Sequence, residues 1–328
     1  MNIKKQNNID KYKAIFLAFL AALLYSINIP LSKLLLDYVS PTFMASFLYF
    51  GAGIGVLIMY LFKRKNEDKS KKLDRCDLKY TILMILLDIF APILLMFGIK
   101  YGNSSNASLL GNFEVVATSL LALLLFSESI SSKLWLAILF ITMSSIVLSF
   151  DTSGFSFSIG SILVLLATIC WGLENNCTRK ISNKSTYQIV ILKGIFSGLV
   201  SFIISLLLKE SIPGIKYILL TLILGYVAYG LSIFTYVRAQ NILGAPKTSL
   251  YYAINPFIGS LLSFILLKET LNSNYLIGLV LNIIGTIFVM EDTLLVKHSH
   301  TILDNGKEVL IEHTHFRYGL GNSNHNHK

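Results

Sequence analysis

Residues 165–181 read LLATICWGLENNCTRKI, and this stretch places Glu174, Asn175 and Asn176 at the end of a long apolar run. A carboxylate that is buried without a partner costs several kcal/mol or takes up a proton. Whether this carboxylate is buried depends on the solvent that surrounds the segment, which the composition of the whole chain indicates.

The chain has too few polar residues to cover a soluble protein of its size. Of its 328 residues, 54% are hydrophobic and 14% are charged, whereas charged residues make up about 25% of a typical soluble domain. The mean hydropathy is +0.65. We therefore predict that lipid is the solvent and that the fold is an all-α polytopic membrane protein.

A transmembrane helix needs about 20 consecutive apolar residues. Ten runs of this size are present, and we call them spans one to ten. A short N-terminal segment, 1–13, precedes them, and a longer tail, 292–328, follows. The predicted spans are 14–36, 41–62, 79–99, 104–126, 133–150, 157–179, 187–208, 215–238, 244–267 and 273–291.

The distribution of basic residues predicts the orientation of these spans. With the N-terminus in the cytoplasm, the cytoplasmic segments contain 22 of the 28 Lys and Arg residues, as the positive-inside rule requires. We therefore predict a multi-pass protein of the plasma (inner) membrane with both termini in the cytoplasm. Lys193 lies inside span seven, close enough to the cytoplasmic end for its side chain to snorkel towards water.

The net charge and the cysteines exclude two other classes of protein. The net charge of +10 does not indicate nucleic-acid binding, because the basic residues lie between apolar runs rather than on one surface. Cys76, Cys170 and Cys177 form no CxxC pair. We interpret them as small packing residues rather than as redox or metal-binding groups.

Two pairs of segments indicate an internal duplication. Residues 19–35, FLAALLYSINIPLSKLL, align with 165–181, so that Tyr25 matches Trp171 and Asn28 matches Glu174. Residues 111–131, GNFEVVATSLLALLLFSESIS, align with 252–272, YAINPFIGSLLSFILLKETLN. These matches predict two repeats, 14–150 and 157–291. Because each repeat holds five spans, the second should enter the membrane inverted, as in many secondary transporters.

The aromatic residue followed by Asn or Glu near the end of spans one and six resembles EamA-type transporters of the drug/metabolite transporter superfamily. So do the acidic ends of spans four and nine, LLLFSES (123–129) and FILLKET (264–270). The resemblance covers about 14–291 and implies a ten-helix exporter or exchanger of small metabolites, amino acids or drugs. The family commonly has Glu-Pro before the long apolar run of the fourth span, where this chain has Glu114-Val115 and Asn255-Pro256. Pro256 thus predicts a kink in span nine, whereas Val115 gives no such reason for one in span four.

Three carboxylates lie deep within predicted spans, where ionisable residues are candidates for function. They are Asp88 in span three, Glu114 in span four and Glu174 in span six. Glu114 also occupies the Glu position of the family that the chain resembles. A carboxyl group that binds a proton and a solute alternately can exchange one for the other. Structural explanations remain open, since Glu174 can reach interfacial water and a neighbouring helix can satisfy Asp88.

Amide and aromatic side chains complete the candidate set for solute binding or coupling. Amides offer neutral hydrogen bonds and aromatic faces can hold cations, while interhelical packing is the alternative explanation for each. The residues are Asn28, Asn112, Asn175, Asn255, Tyr25, Trp171, Tyr226, Tyr229 and Tyr252.

All six histidines lie in the tail, as three His-x-His pairs. The sequence Asp304-Asn305-Gly306 predicts the turn of a hairpin that would bring the first two pairs together as metal ligands. An unstructured polar tail is the alternative. The candidate metal ligands are His298, His300, His313, His315, His325 and His327.

These patterns together predict a secondary active transporter that works by alternating access. We expect an exporter of a small organic solute such as an amino acid, an amine or a drug-like metabolite, with protons as the candidate coupling ion. The alternative is a transition-metal ion transporter with a metal-binding tail. An enzyme is not expected, because no nucleophile–base motif, HExxH motif or phosphate loop is present.

We expect the partners of the chain to be the solute, protons and the lipid bilayer, without nucleic acid. A monomer is expected rather than a dimer. No cofactor is predicted, apart from a divalent transition metal at the tail.

Overall fold

The computed structural model describes residues 2–63, 71–126, 130–151, 156–181, 184–243, 248, 251–269, 272–304 and 307–316. Within these ranges the chain is mainly helical. The α-helices are Asn2–Ser26, Asn28–Leu35, Pro41–Lys63, Leu78–Tyr101, Ser104–Leu110, Phe113–Phe126, Ser132–Ser149, Ile159–Lys180, Thr186–Leu192, Gly198–Leu207, Ile215–Gly225, Ser232–Leu243, Asn255–Leu267 and Ser273–Leu294.

Shorter elements connect or interrupt these helices. A 3₁₀ turn at Arg75–Asp77 precedes span three, and π-helical segments at Lys193–Ser197 and Tyr226–Leu231 lie within spans seven and eight. Two antiparallel hairpins are also present. Their strands are β1 (Phe150–Asp151) with β2 (Ser156–Phe157), and β3 (Leu295–Asp304) with β4 (Lys307–Phe316).

The helices confirm the prediction of an all-α polytopic membrane protein with about ten spans. In the described part of the chain, nine helices are long and apolar enough to cross a bilayer. A shorter apolar helix, Asn255–Leu267, lies within predicted span nine. The first part of that span includes residues outside the described ranges.

The spans pack in pairs that relate the two halves. Span one packs against span eight, and span six packs against span three. These two pairings are equivalent, because span six is the counterpart of span one and span three is the counterpart of span eight. Spans five and ten pack against each other. The interior between spans one, three, four, six, seven and eight is therefore formed by both halves.

Several helix starts are capped by side chains, which satisfies backbone N–H groups that have no partner within the helix. Ser131, Ser158 and Ser185 cap spans five, six and seven through their own hydroxyl oxygens. Spans two and four are capped by glutamates of the second half instead. Glu210 accepts a hydrogen bond from the N–H of Phe43 at 3.1 Å, and Glu269 accepts one from the N–H of Ser104 at 2.8 Å.

The 71–77 segment is attached to the second half by an ion-pair cluster. Lys184 Nζ lies 2.8 Å from Asp74 Oδ2 and 3.1 Å from Asp77 Oδ2. The hydrogen bond from Lys184 lowers the pKa of Asp74. The contact is therefore fully present above the ordinary Asp pKa and is lost only as the pH falls through this lowered value.

Both fourth spans of the repeats are interrupted, and the sequence predicted only one of the interruptions. Helix Asn255–Leu267 begins with Pro256 in its first turn, at the predicted kink. Span four breaks between Leu110 and Phe113, although residue 115 is not proline. There the N–H of Asn112 bonds to the carbonyl of Leu109 and the N–H of Glu114 bonds to that of Gly111. These hydrogen bonds join residues three apart, as in a 3₁₀ turn, and the backbone is therefore tighter than in an α-helix. Glu114 lies in the first turn of the helix that follows.

The π-helical segments of spans seven and eight both pack on span two at positions with small residues. Gly53 faces Gly194, and Ala52 faces Gly230. A Cβ atom at Gly53 would lie 2.8 Å from the backbone nitrogen of Ile195 and 2.9 Å from the carbonyl carbon of Gly194. Backbone atoms cannot move aside as a flexible side chain can, so glycine is required at this contact.

Replacement of Gly53 by alanine is therefore expected to destabilise the protein by roughly 1–3 kcal/mol, because the added methyl group separates spans two and seven. The thermal unfolding of the purified protein in detergent would measure this loss. Gly214→Ala is the matched control, since a Cβ there meets only the Tyr217 ring, at 3.8 Å. Equal melting temperatures for the two variants would contradict the close contact.

Candidate functional site

Three spans bring three charged side chains together inside the helix bundle. Lys193 Nζ of span seven lies 2.8 Å from Glu174 Oε1 of span six and 3.1 Å from Asp88 Oδ2 of span three. The exposed fractions of the Lys193, Glu174 and Asp88 side chains are 11%, 4% and 0%. We call these three residues the charged triad. When all are ionised, the triad carries one net negative charge.

The position of Lys193 corrects the sequence-based interpretation. Its side chain does not snorkel to water but lies between two carboxylates. The prediction considered only its distance from the helix end, whereas the direction of the helix face decides what the ammonium group meets. The sequence did contain a signal, because Lys193 is the one cation deep within the predicted spans and three carboxylates lie at similar depth. An ion pair between them could have been predicted.

Neutral donors surround the carboxylates of the triad. The Tyr49 hydroxyl of span two donates a hydrogen bond to Asp88 Oδ1 at 2.9 Å. The hydroxyl of Thr178 donates one to Glu174 Oε1. Oδ1 of Asp88 is thus satisfied by a neighbouring helix, whereas its buried Oδ2 has the ion-pair contact with Lys193 and no hydrogen bond. Tyr49 is a second residue that the sequence reasoning missed. Buried carboxylates with several donors are held in fixed positions.

Glu114 has a different environment, in which an amide is its hydrogen-bond partner. Asn175 Nδ2 donates to Glu114 Oε1 at 2.6 Å. Because Asn175 directly follows Glu174, one turn of span six contacts both Glu114 and the triad. Asn176 in the same turn donates to the carbonyl of Thr118 in span four, at 3.0 Å. The three polar residues 174–176 of this run therefore all contact neighbouring spans, since Glu174 contacts span seven and the two asparagines contact span four.

Aromatic side chains connect the triad with spans one, eight and nine. The Tyr229 ring centroid lies 5.4 Å from that of Tyr49 and 5.5 Å from that of Tyr25. The Tyr252 centroid lies 6.2 Å from that of Tyr25. Asn28 Nδ2 donates to the Tyr229 hydroxyl at 3.1 Å. We call Tyr25, Tyr49, Tyr229 and Tyr252 the aromatic cluster. Glu114 lies within electrostatic range of Tyr25, Tyr229 and Tyr252.

The remaining candidates of the predicted set have other surroundings. Asn112 donates to the side chains of Asn282 and Thr286 in span ten. Tyr226 packs over Gly55 of span two. Trp171 is buried in the hydrophobic core, where its side chain also forms a hydrogen bond with Tyr49 of the aromatic cluster. Asn255 is half-buried at the start of its helix. Asn112 therefore joins spans four and ten, and only part of the predicted set lies around the triad and Glu114.

A separate cavity of about 320 Å³ lies between spans one and eight. Aliphatic side chains form its lining, so it offers no partner for a charged solute. The polar candidate site is thus the triad with Glu114 and the aromatic cluster. The cavity is lined by Ile27, Leu31, Leu34, Leu35, Leu220, Ile223, Leu224 and Val227.

The tail forms the predicted hairpin over residues 295–316. In its register His298 lies opposite His313, His300 opposite Ile311 and Val296 opposite His315. Two of the turn residues, 305–306, and both His325 and His327 lie outside the described residues. Among the side chains that the structure describes, which exclude those of the hairpin, no group of three or more His, Cys, Asp or Glu residues could hold a metal ion.

Comparison with known proteins agrees with this architecture. The family model described as the EamA-like transporter family matches residues 12–150 and again residues 158–291. The chain belongs to this family. The two matches place one EamA unit in each half of the chain.

Relatives of this EamA protein are named as transporters. An uncharacterized transporter of Methanothermobacter thermautotrophicus is 27% identical over 76% of this chain and 78% of its own length. The uncharacterized transporter YyaM of Bacillus subtilis is 24% identical over 78% of this chain and 87% of its own length. A solved crystal structure matches 85% of this chain and 96% of its own length, with a TM-score of 0.64 and 16% identity. This last likeness concerns the fold alone.

In this EamA protein, the candidate site contains charged residues from both halves of the chain. The triad holds one ammonium between two carboxylates, and Glu114 contributes a third carboxylate with an amide partner. Span six carries residues of both parts, so a movement of that span changes both environments at once. Each carboxyl group of this arrangement is of a type that can accept a proton or pair with a cation.

Proposed function

We propose that this protein is a secondary active transporter that exchanges a small, positively charged or zwitterionic organic solute for protons by alternating access. Amines, amino acids and drug-like metabolites belong to this class. The observation that carries the proposal is the excess of carboxylates over ammonium groups at this site. Asp88 and Glu174 share the ammonium of Lys193, whereas the half-buried Glu114 has only the neutral amide of Asn175 as its hydrogen-bond partner.

Glu114 is the residue that compensates the charge of the solute. Its hydrogen-bond partner is a neutral amide, and a carboxyl group in a low-dielectric interior is most stable when neutral or paired with a cation. Glu114 therefore holds a proton when the site is empty and releases it when the cation arrives. The aromatic cluster provides faces that attract cations.

The transport direction that we propose is outward, across the plasma membrane, with both termini in the cytoplasm. The distribution of Lys and Arg residues supports the cytoplasmic position of the termini, and the resemblance to EamA-type exporters supports the outward direction. Because the contacts of Glu210 and Glu269 join the two halves at helix starts, they are candidates for bonds that break when the halves move.

Proteoliposomes with a trapped pH-sensitive dye would test this function. Amines, amino acids and cationic drugs would be added outside, and the internal pH would be followed. At least one solute is expected to drive protons out of the vesicles as it enters, and an imposed pH gradient should accelerate its uptake. An uptake rate that is the same with and without the imposed pH gradient would contradict proton exchange.

A transition-metal ion is the second candidate solute, and the tail register favours it, because His298 and His313 occupy directly opposite positions in the hairpin. Paired histidines are frequent ligands of Zn²⁺ and related ions. Equilibrium dialysis of the full-length protein with Zn²⁺, Ni²⁺ and Co²⁺ would test this candidate. Binding that a His298→Ala/His313→Ala variant loses would support it, and absence of binding at micromolar concentrations would remove its support.

A further inference from the structure

We propose that the ammonium of Lys193 is a tethered occupant of an ammonium site, and that the primary ammonium of the solute takes its place between Asp88 and Glu174 during transport. This inference rests on the proposed function and narrows its solute class to primary amines. Asp88 and Glu174, which form the site, lie in spans three and six, whereas Lys193, which fills it, lies in span seven. This separation motivates the proposal.

The two carboxylates of the site have partners besides Lys193. Asp88 is fixed by Tyr49 of span two, and Glu174 is fixed by Thr178 of its own helix. Spans three and six, which carry them, pack closely together. A free ammonium group at the same position would meet the same oxygens at hydrogen-bond distance. Its three N–H donors match a site of this kind.

The structure of the Lys193 side chain suits a temporary occupant. Its charge lies at the end of a four-carbon chain with several rotatable bonds, so the ammonium can leave the triad without movement of the backbone. It is the first residue of the π-helical segment Lys193–Ser197, and Gly194 follows it. Single-turn π-helical segments are frequent at functional sites.

Glu114 balances the charge of the exchange. Its carboxyl group is joined to span six by the hydrogen bond from Asn175, the residue that follows Glu174 of the triad. With Glu114 protonated and Lys193 in the triad, the four groups carry one net negative charge. When Glu114 releases its proton and a solute ammonium enters, three carboxylates and two ammonium groups again give one net negative charge. One proton is thus exchanged for one ammonium without change in the charge of the site.

The test removes the tethered group and supplies it in free form. Lys193→Ala vacates the ammonium position, and n-butylammonium chloride replaces the missing side chain. Thermal unfolding of the purified full-length variant would be measured in butylammonium chloride and in sodium chloride at equal ionic strength. We expect butylammonium to raise the melting temperature of Lys193→Ala by about 5 °C in a saturable manner, because a ligand that binds only the folded state stabilises it.

Lys133→Ala is the matched control, since Lys133 pairs with Glu291 at an exposed position where no enclosed site remains. It should respond equally to the two salts. Equal melting temperatures of Lys193→Ala in both salts would overturn the proposal. If the variant folds only when purified in butylammonium chloride, the proposal is supported, and if it folds in neither salt, the proposal is overturned.

Transport assays separate this inference from the proposed function. Stabilisation by butylammonium without proton-coupled transport by the wild-type protein would retain the ammonium site and refute proton exchange. Proton-coupled transport by the wild type without stabilisation of Lys193→Ala would retain the proposed function and refute the tethered occupant.

Discussion

Replacement of Glu114 by glutamine is expected to reduce solute-driven proton movement in proteoliposomes to the level of protein-free vesicles. Glutamine keeps the size of the side chain and can still pair with Asn175, but it cannot bind or release a proton in the working range of pH. The dye signal that follows addition of the solute would measure the effect. Solute binding without proton exchange is the expected residual behaviour.

Glu291→Gln is the control for this variant, because Glu291 lies half-exposed at the end of span ten and pairs with Lys133. The same chemical change there should leave proton movement unchanged. Proton movement in Glu114→Gln that equals that of the wild type would show that another group carries the proton.

Replacement of Lys193 by methionine is expected to destabilise the protein by about 3–5 kcal/mol, because two buried carboxylates then lose their shared cation. Thermal or denaturant-induced unfolding in detergent would measure the loss. A second change, Glu174→Gln, in the same chain should recover part of it, since it removes one of the uncompensated charges.

Lys133→Met provides the comparison for this loss. Lys133 also forms an ion pair, but its side chain and that of Glu291 are 38% and 41% exposed. Exposed pairs contribute about 1 kcal/mol or less, so this variant should unfold almost as the wild type does. Equal losses in Lys193→Met and Lys133→Met would contradict a buried triad.

The spans could be predicted from the sequence because their signal is local. A run of apolar residues long enough to cross lipid is visible without any knowledge of neighbours. The likeness of 19–35 to 165–181 is also visible in the sequence, and so is the presence of deep carboxylates. Each of these features depends on residue type and spacing alone.

The partners of the polar residues could not be predicted in the same way. Lys193 and Glu174 are 19 residues apart on different spans, and their contact depends on the rotation of both helices about their axes. Asn112 shows the same dependence, because it lies at the break in span four and its side chain contacts Asn282 in span ten. Spans that are apolar on nearly all sides carry little periodic signal to indicate which face is internal.

The two helix interruptions also differ in whether the sequence could predict them. Proline at 256 removes a backbone donor, so a break could be predicted from the residue itself. At Gly111–Asn112, where span four breaks without a proline, the structure has a side-chain contact with span ten and backbone hydrogen bonds between residues three apart. Residue type predicted the first break only.

The opposite insertion of the two halves can be measured directly at two equivalent connections, which follow spans two and seven. Native Cys76 is exposed in the first connection, and Ile212 is exposed in the second. An impermeant maleimide would be applied to intact cells and to opened membranes, with Ile212→Cys examined in a Cys76→Ser background. We predict that Cys76 reacts only after the membranes are opened, whereas Ile212→Cys reacts in intact cells. Reaction of both positions from the same side of the membrane would contradict the inverted arrangement.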